Sequence, residues 1–254
     1  MEPTLLLESY LKALRLPAFV QQYRRIAEDA ARENLSYERF LLALAEHEVT
    51  QREAHRRTHC IRAARFPVLK ELADFDFSVV PHLNKQAILE LAQGHYIAKA
   101  EPILLVGNPG LGKTHLATGL ALAACRQGHR VRFYTAADLV NELLQAQDER
   151  RLGRVLAQAL KQQVVVLDEL GFIPFSALGA QLIFQFCSAL HERVALLITT
   201  NLRFADWTQV LGDERLTAAL LDRLTYKGHI VELVGESYRF RERMQREAGA
   251  GGVG

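Results

Sequence analysis

Residues 103–114 read Ile-Leu-Leu-Val-Gly-Asn-Pro-Gly-Leu-Gly-Lys-Thr, and they are the strongest indication of the fold in the sequence. From Gly107 to Thr114 it matches the pattern G-x-x-x-x-G-K-[ST] in full. The apolar run ILLV leads into the pattern, and THLATGLALAAC follows it with the composition of a helix. A strand, a glycine-rich loop and a helix in this order predict a phosphate-binding loop.

Each residue type in the loop has a physical role. Glycines let successive backbone N–H groups point at phosphate oxygens, at the positive end of the following helix. Lys113 is expected to reach the β- and γ-phosphates, and the Thr114 hydroxyl to bind Mg²⁺. His115 is expected to serve helix packing or local hydrogen bonding beside the site. The predicted ligands are therefore ATP and Mg²⁺, and the candidate binding residues are Gly107, Asn108, Pro109, Gly110, Leu111, Gly112, Lys113, Thr114 and His115.

Two carboxylates follow a second apolar run. The residues VVVL (164–167) predict a buried strand, and Asp168 and Glu169 come directly after it. Because parallel strands present their carboxyl ends at one ligand crevice, both side chains are expected beside the phosphates. Asp168 is expected to hold Mg²⁺, and Glu169 to activate the water that attacks the γ-phosphate. The alternative for such a pair is a helix N-cap.

A third apolar run, LLITT (196–200), ends in Asn201. Its strand is expected to lie between the strands that precede the loop and the carboxylates. Asn201 could then hydrogen-bond the γ-phosphate and the attacking water. The alternative is that Asn201 only forms a turn.

The rest of the chain predicts an α/β fold behind a helical N-terminal region. Apolar runs that alternate with helical segments predict a parallel sheet covered on both faces. The five expected strands are Ile103–Val106, Val131–Tyr134, Val164–Leu167, Leu196–Thr200 and Ile230–Leu233. The expected domains are residues 1–74, helical, for DNA binding and assembly; 75–248, the ATPase; and 249–254, a glycine-rich disordered tail. Phe66-Pro67 and residues 74–78 are interpreted as a linker.

Composition and charge limit the kinds of protein that this chain can be. The 254 residues are 49% hydrophobic and 24% charged, which is typical of globular proteins, and they contain no run long enough to span a membrane. Three widely spaced cysteines are interpreted as reduced thiols of a cytoplasmic protein. The net charge is +2, but residues 51–70 carry one acidic residue against six basic ones. This block, a candidate contact for nucleic-acid phosphates or else a solvated helix surface, contains Arg52, Arg56, Arg57, Arg62, Arg65 and Lys70.

Taken together, the motifs resemble those of the IstB-like ATPases, the transposition helpers of bacterial insertion elements and relatives of DnaC and DnaA among AAA+ proteins. The similarity covers roughly residues 5–245. The resemblance rests on SYERFL (36–41) with Glu48 and Arg52, FDF (75–77), GNPGLGKTHLA (107–117), VRFYTAADLV (131–140), LDELGFIPFSALGAQLIF (167–184), TTNLRFADW (199–207), LLDRL (220–224) and GESYRF (235–240).

The resemblance implies an ATP-dependent assembly on duplex DNA that recruits or stimulates a transposase. DNA contacts are expected to be mainly to the backbone, with weak sequence preference. It also implies a helical insertion within residues 137–161, where Arg151 and Arg154 are candidate DNA contacts. The alternative is an amphipathic helix that only packs on the core.

AAA+ proteins complete their active sites with a neighbour's arginine, so the resemblance implies a homo-oligomer with active sites at subunit interfaces. Arg223 is the expected trans arginine, and Arg215 competes for that role. Arg239 is similar to a nucleotide-sensing position. Only some twenty residues follow Leu233, so the usual C-terminal lid is not expected. Two other functions stay open, a helicase loader of the DnaC type and a nucleotide-dependent scaffold with negligible turnover.

Overall fold

The computed structural model describes residues 3–235, which divide into two compact units at His59/Cys60. Residues 60–74 group with the second unit, so this division falls earlier than the predicted functional boundary at residue 74. The predicted tail, 249–254, lies outside the described residues. Within residues 3–235, every helix is too short or too polar to cross a membrane.

The first unit is built from three helices, as predicted. They are α1 (Pro3–Ala13), α2 (Pro17–Arg32) and α3 (Tyr37–Ala64), the last of which runs across the division. Pro17 begins α2, where a missing N–H costs nothing. Ser36 precedes α3, and its Oγ accepts a hydrogen bond from Arg39 N–H at 3.4 Å.

A buried carboxylate joins two helices of this unit. Glu48 of α3 is only 4% exposed, and its Oε2 accepts a bond from Ala18 N–H, at the start of α2, at 2.8 Å. Its Oε1 accepts one from Arg52 Nε at 2.6 Å. Arg52 also donates to the carbonyl of Arg15. The negative charge thus stands at a helix N-terminus, where unpaired N–H groups favour it.

The second unit is an α/β fold. Its helices are α4 (Lys85–Ala92), α5 (His95–Ala98), α6 (Lys113–Arg126), α7 (Ala136–Asp148), α8 (Leu152–Ala159), α9 (Ala177–Leu190), α10 (Thr208–Leu211) and α11 (Glu214–Thr225). Its strands are β1 (Ile103–Gly107), β2 (Val131–Thr135), β3 (Val164–Asp168), β4 (Ala195–Thr200) and β5 (His229–Leu233). Helices α7 and α8 occupy the place predicted for the insertion.

The five strands form one parallel sheet in the order β2-β3-β4-β1-β5, which confirms the predicted fold class. Strand β4 lies between β1 and β3, as expected. The loop after β1, the carboxylates at the end of β3 and Asn201 after β4 therefore meet at the carboxyl edge of three adjacent strands.

Alternate strand residues enter two cores. On the α6 side, Leu105, Val166 and Leu197 pack with Leu116 and Leu120. On the opposite side, Leu104, Val165 and Ile198 pack with Leu139 of α7 and Phe186 of α9. Burial on both faces explains why the strands are continuous apolar runs rather than alternating ones. The insertion formed by α7 and α8 therefore packs one face on this core. This packing leaves open whether the outer face contacts DNA.

Residues 74–78, interpreted as part of a linker, instead belong to a segment, residues 70–79, that packs along α6. It contains two short 3₁₀ turns, Leu72–Asp74 and Phe77–Val79, and its Phe75 and Val79 side chains are buried. His115 Nε2 donates to the Glu71 carbonyl at 2.7 Å, a bond between residues 44 positions apart. The linker interpretation was wrong. Asp and Pro are typical of loops, but the neighbouring phenylalanine rings pack against residues far away in the sequence, which no local pattern indicates.

Candidate nucleotide-binding site

The glycine-rich loop joins β1 to the N-terminus of α6. Gly112 has a φ of +85° and precedes the first residue of α6. A Cβ on Gly112 would lie 2.6 Å from Cε2 of Phe75, so both backbone conformation and space require glycine. A Cβ on Gly107 would lie 2.3 Å from the Leu233 carbonyl oxygen of β5. The loop is therefore held between the sheet and the 70–79 segment.

Lys113 folds back over the loop. Its Nζ donates to the carbonyl oxygens of Gly107 at 2.7 Å and Asn108 at 2.9 Å. These bonds hold the ammonium group against the glycine-rich loop. The position suits a point charge that meets phosphate oxygens.

Asp168 lies under the loop with 4% of its surface exposed. Its Oδ1 accepts bonds from the hydroxyls of Thr114 at 3.0 Å and Thr199 at 2.6 Å. Burial raises the pKa of Asp168, although both hydroxyl bonds and the charge of Lys113 act in the opposite direction. A desolvated carboxylate beside a threonine hydroxyl provides two oxygen ligands for a hard cation.

Glu169 turns out of the strand into the cavity. It has a φ of +59°, a left-handed conformation that is uncommon for glutamate. Its N–H donates to Thr199 Oγ1 at 2.8 Å, and its side chain is exposed. Asp168 is buried whereas the Glu169 side chain is exposed and lines the cavity, so the two adjacent carboxylates occupy different environments.

Asn201 reaches the same cavity from the end of β4. Its Oδ1 is buried and has no hydrogen-bond partner within the described chain. A buried acceptor without a partner is costly unless a ligand or water supplies the donor. The turn-former alternative leaves this acceptor unexplained.

Lys113, Thr114, Glu169 and Asn201 line one cavity of about 560 Å³, which is within the usual range for small-molecule sites. Its other wall is the 70–79 segment, a contribution that was not predicted from the sequence. That wall is formed by Lys70, Asp74, Phe75, Asp76 and Val79. The FDF motif at residues 75–77 could have indicated this packing, because the aromatic side chains of an exposed linker would have no apolar surface to pack against.

The residues present fit Mg-ATP. A glycine cradle at a helix N-terminus and Lys113 suit the phosphates, while Thr114 and Asp168 suit Mg²⁺. Residues 3–235 contain no cluster of three or more His, Cys, Asp or Glu side chains that would enclose a metal by itself. Mg²⁺ commonly binds through one or two protein oxygens together with substrate phosphates, which matches this donor set.

The match to known families agrees with the geometry. Residues 9–246 match the family model of the IstB-like ATP-binding proteins. The chain belongs to this family. It is 35% identical over 241 residues to an ATP-binding protein of insertion sequence IS5376 from Geobacillus stearothermophilus. The aligned region covers 95% of this chain and 96% of that protein. It is also 35% identical over 243 residues to an ATP-binding protein of insertion sequence IS21 from Pseudomonas aeruginosa, which covers 96% and 91%.

Solved structures share the fold of this IstB-like protein. The DnaC helicase loader superposes with a TM-score of 0.51 at 24% identity, over 59% of this chain and 87% of DnaC. The replication initiator DnaA, solved with AMPPCP and single-stranded DNA, superposes with a TM-score of 0.54 at 19% identity, over 69% and 54%. The IstB-like chain therefore has the AAA+ fold of these proteins.

Among the arginines expected to act on nucleotide, none described lines the cavity of its own chain. Arg223 lies on α11, donates to the Ala219 carbonyl at 2.6 Å and stacks 5.1 Å from the Phe184 ring centre. Arg215 is exposed on the same helix. Arg239 lies outside the described residues.

The candidate DNA contacts of the IstB-like chain are exposed but differ in their partners. Arg52 is tied to Glu48 and the Arg15 carbonyl, so it supports the first unit. Arg57 pairs with Glu53 at 3.5 Å on the surface of α3, and Arg151 pairs with Glu149. The candidates that are exposed without a salt bridge in the described structure are Arg56, Arg62, Arg65 and Arg154.

Proposed function

We propose that this IstB-like protein hydrolyses ATP to ADP and phosphate with Mg²⁺ in the cavity described above. The observation that carries the proposal is that Thr114 and Glu169 line one cavity beside the phosphate loop, with the buried Asp168 bonded to Thr114 directly behind it. A site for binding alone would not need an exposed carboxylate next to a buried one.

Each residue has a separate task in this proposal. The loop N–H groups and Lys113 bind the phosphates, and Thr114 and Asp168 hold Mg²⁺. When bound, Mg²⁺ neutralises charge on the β- and γ-phosphate oxygens. Glu169 orients a water and accepts its proton as the water oxygen bonds to the γ-phosphorus and the bond to the ADP oxygen breaks. Asn201 accepts a hydrogen bond from that water and donates from its amide to the γ-phosphate.

A neighbouring subunit supplies an arginine to the site. We assign this role to Arg223, with Arg215 as the alternative on the same helix. Support comes from the cavity itself, whose described lining includes no arginine of its own chain. Because Arg223 is held by Ala219 and Phe184, subunit contact would have to release or redirect it.

Mixing two inactive variants tests the shared site. Arg223→Ala and Glu169→Gln should each be inactive alone, whereas mixtures should recover part of the activity at interfaces that pair two intact residues. Arg215→Ala mixed with Glu169→Gln distinguishes the competing assignment. If neither arginine variant shows recovery while assembly is retained, the trans role is wrong.

The ATPase cycle is proposed to control assembly on duplex DNA in the cytoplasm and recruitment of a cognate transposase. Family membership and the insertion-sequence relatives support a transposition role. The exposed arginines of α3 and α8 support contacts to DNA phosphates with weak sequence preference. The main alternative partner is a replicative helicase, as for DnaC.

The partner and DNA form can be tested together. With a non-hydrolysable ATP analogue, duplex should outcompete a single strand of the same sequence, and the complex should capture the transposase encoded beside this gene. Arg56→Ala should lower duplex affinity and its salt dependence, whereas Arg32→Ala, at an exposed arginine of α2, serves as the matched control. Single-strand preference with capture of a helicase would replace the helper role by a loader role.

A further inference from the structure

Thr199 is a buried polar residue for which sequence motifs provide no role. It is the fifth residue of the apolar strand β4 and is 1% exposed. Strand pairing with β3 runs to Leu167 opposite Ile198, so Thr199 follows the last pair and lies beside Asp168. The side chains of Val166 and Leu197 enter the core on the α6 side, and strand alternation directs Asp168 and Thr199 to that same side, toward the phosphate loop.

The Thr199 hydroxyl uses both its donor and an acceptor position. It donates to Asp168 Oδ1 at 2.6 Å and accepts from Glu169 N–H at 2.8 Å. The Thr199 carbonyl also accepts from Leu170 N–H at 2.9 Å. One residue therefore contacts three consecutive residues of the carboxylate turn.

These bonds act on two different functions. Together with the Thr114 hydroxyl, the Thr199 hydroxyl fixes Oδ1 of Asp168 and hence the plane of its carboxylate. The bond to Glu169 N–H holds the left-handed turn at φ +59° that sends the Glu169 side chain into the cavity. Uncommon backbone conformations persist only where surrounding bonds maintain them.

We propose that Thr199 is a positioning residue that sets both the Mg²⁺ carboxylate of Asp168 and the water-activating carboxylate of Glu169. The inference rests on the proposed ATPase function. It goes beyond it because Thr199, which itself lines the cavity, would control metal affinity and turnover through its hydroxyl bonds to Asp168 and Glu169.

Thr200 provides a matched control on the same strand. It is fully buried, and its Oγ1 also accepts a backbone hydrogen bond, from Leu202 N–H at 3.1 Å. Strand alternation directs it to the opposite face from Thr199. Thr200→Val therefore removes a comparable buried hydroxyl without removing a bond to Asp168 or to Glu169.

The test compares Thr199→Val, Thr199→Ser and Thr200→Val in the full chain. Two measurements are made, steady-state ATP hydrolysis and the Mg²⁺ dependence of binding of a fluorescent ATP analogue. Thr199→Val should lower kcat about 30-fold and raise the half-maximal Mg²⁺ concentration about tenfold, within the range typical for residues that orient metal ligands. Its KM for ATP at saturating Mg²⁺ should change little, because the phosphate loop is intact.

The conservative variant and the control separate positioning from general destabilisation. Thr199→Ser should restore most of both values, since it keeps the hydroxyl. Thr200→Val should lower thermal stability yet leave the Mg²⁺ midpoint at the wild-type value. If Thr199→Val does not fold, Thr199→Ala against Thr199→Ser repeats the comparison in smaller side chains.

Failure of this inference is distinguishable from failure of the proposed function. Wild-type protein that binds ATP without Mg²⁺ dependence and does not hydrolyse it would overturn the ATPase proposal. If the wild type is active and Mg²⁺-dependent while Thr199→Val keeps both its kcat and its Mg²⁺ midpoint, the positioning role of Thr199 is overturned alone. A shift of the midpoint by Thr200→Val as large as that by Thr199→Val would overturn it as well.

Discussion

Glu48 in the first unit and Asp168 in the second are equally buried carboxylates, each 4% exposed, with opposite surroundings. Glu48 accepts bonds from the Arg52 guanidinium and from Ala18 N–H at a helix N-terminus. Asp168 accepts bonds from the neutral hydroxyls of Thr114 and Thr199, and burial raises its pKa.

The two carboxylates therefore differ in how far the chain itself balances the buried charge. Glu48 is compensated by a cation and a helix terminus of its own unit, so its charge stabilises the fold. Asp168 is less fully compensated, and a bound divalent cation would supply what its surroundings lack. Substitutions at the two positions should therefore separate loss of stability from loss of ATP hydrolysis.

The largest expected effect is on nucleotide binding by the second unit. Lys113→Ala should weaken ATP binding by roughly 1,000-fold, because the phosphates lose a fixed charge partner. Equilibrium binding of a fluorescent ATP analogue measures this. Lys99→Ala, at an exposed lysine 3.7 Å from Glu101, is the control and should bind normally. Normal binding by Lys113→Ala would place the nucleotide elsewhere.

Asp168→Asn should reduce ATP hydrolysis by about 100-fold while leaving the fold intact. The amide is nearly isosteric and uncharged, so the free energy of unfolding in magnesium-free buffer should stay the same or increase. Hydrolysis assays and urea unfolding of the same preparation measure both. A variant that loses stability and activity together would make Asp168 a structural carboxylate like Glu48.

Glu48→Gln should have the reverse pattern. Losing the charge that faces Arg52 and the α2 N-terminus should destabilise the first unit by about 2 kcal/mol, while ATP binding stays normal. Hydrogen exchange of residues 17–32 reports this locally. Glu53→Gln removes an exposed carboxylate of the same helix, 3.5 Å from Arg57, and should change exchange far less. Unchanged protection in Glu48→Gln would contradict the compensated role.

The smallest effect concerns pH. The pKa of Asp168 is raised above its ordinary value of 3.8, so the native state keeps a proton that the unfolded chain has lost. The stability this provides is present below pH 3.8 and is lost as the pH rises through the native pKa. Without magnesium, Asp168→Asn should therefore gain stability relative to wild type across this interval. Parallel pH profiles from urea unfolding would contradict the raised pKa.

The sequence predicted those parts of the fold and of the candidate site that residues close together in the chain indicate. The strands were predicted because burial on both faces leaves continuous apolar runs, and the phosphate loop because its glycines, Lys113 and Thr114 are contiguous. Asp168 and Glu169 followed from the rule that parallel strands end at one crevice. The order of the strands then brought Asn201 to the same cavity.

Residues that act across the fold escaped prediction. Thr199 resembles any other residue of an apolar strand until β3 is placed beside it. Phe75 is separated from Gly112 by two helices and a strand, so its packing against the glycine is a long-range contact with no local pattern. Glu48 belonged to the family motif, but its bond to Ala18 joins helices 30 residues apart.

The most direct test of the account compares two glutamates with the same backbone conformation. Glu169 and Glu192 are both exposed, with φ of +59° and +56°, but only Glu169 lines the cavity. Glu169→Gln should bind Mg-ATP as wild type does and hydrolyse it about 100-fold more slowly, whereas Glu192→Gln should hydrolyse it normally. Wild-type turnover by Glu169→Gln, measured as phosphate release at saturating ATP, would contradict the assignment of this cavity as an ATPase site.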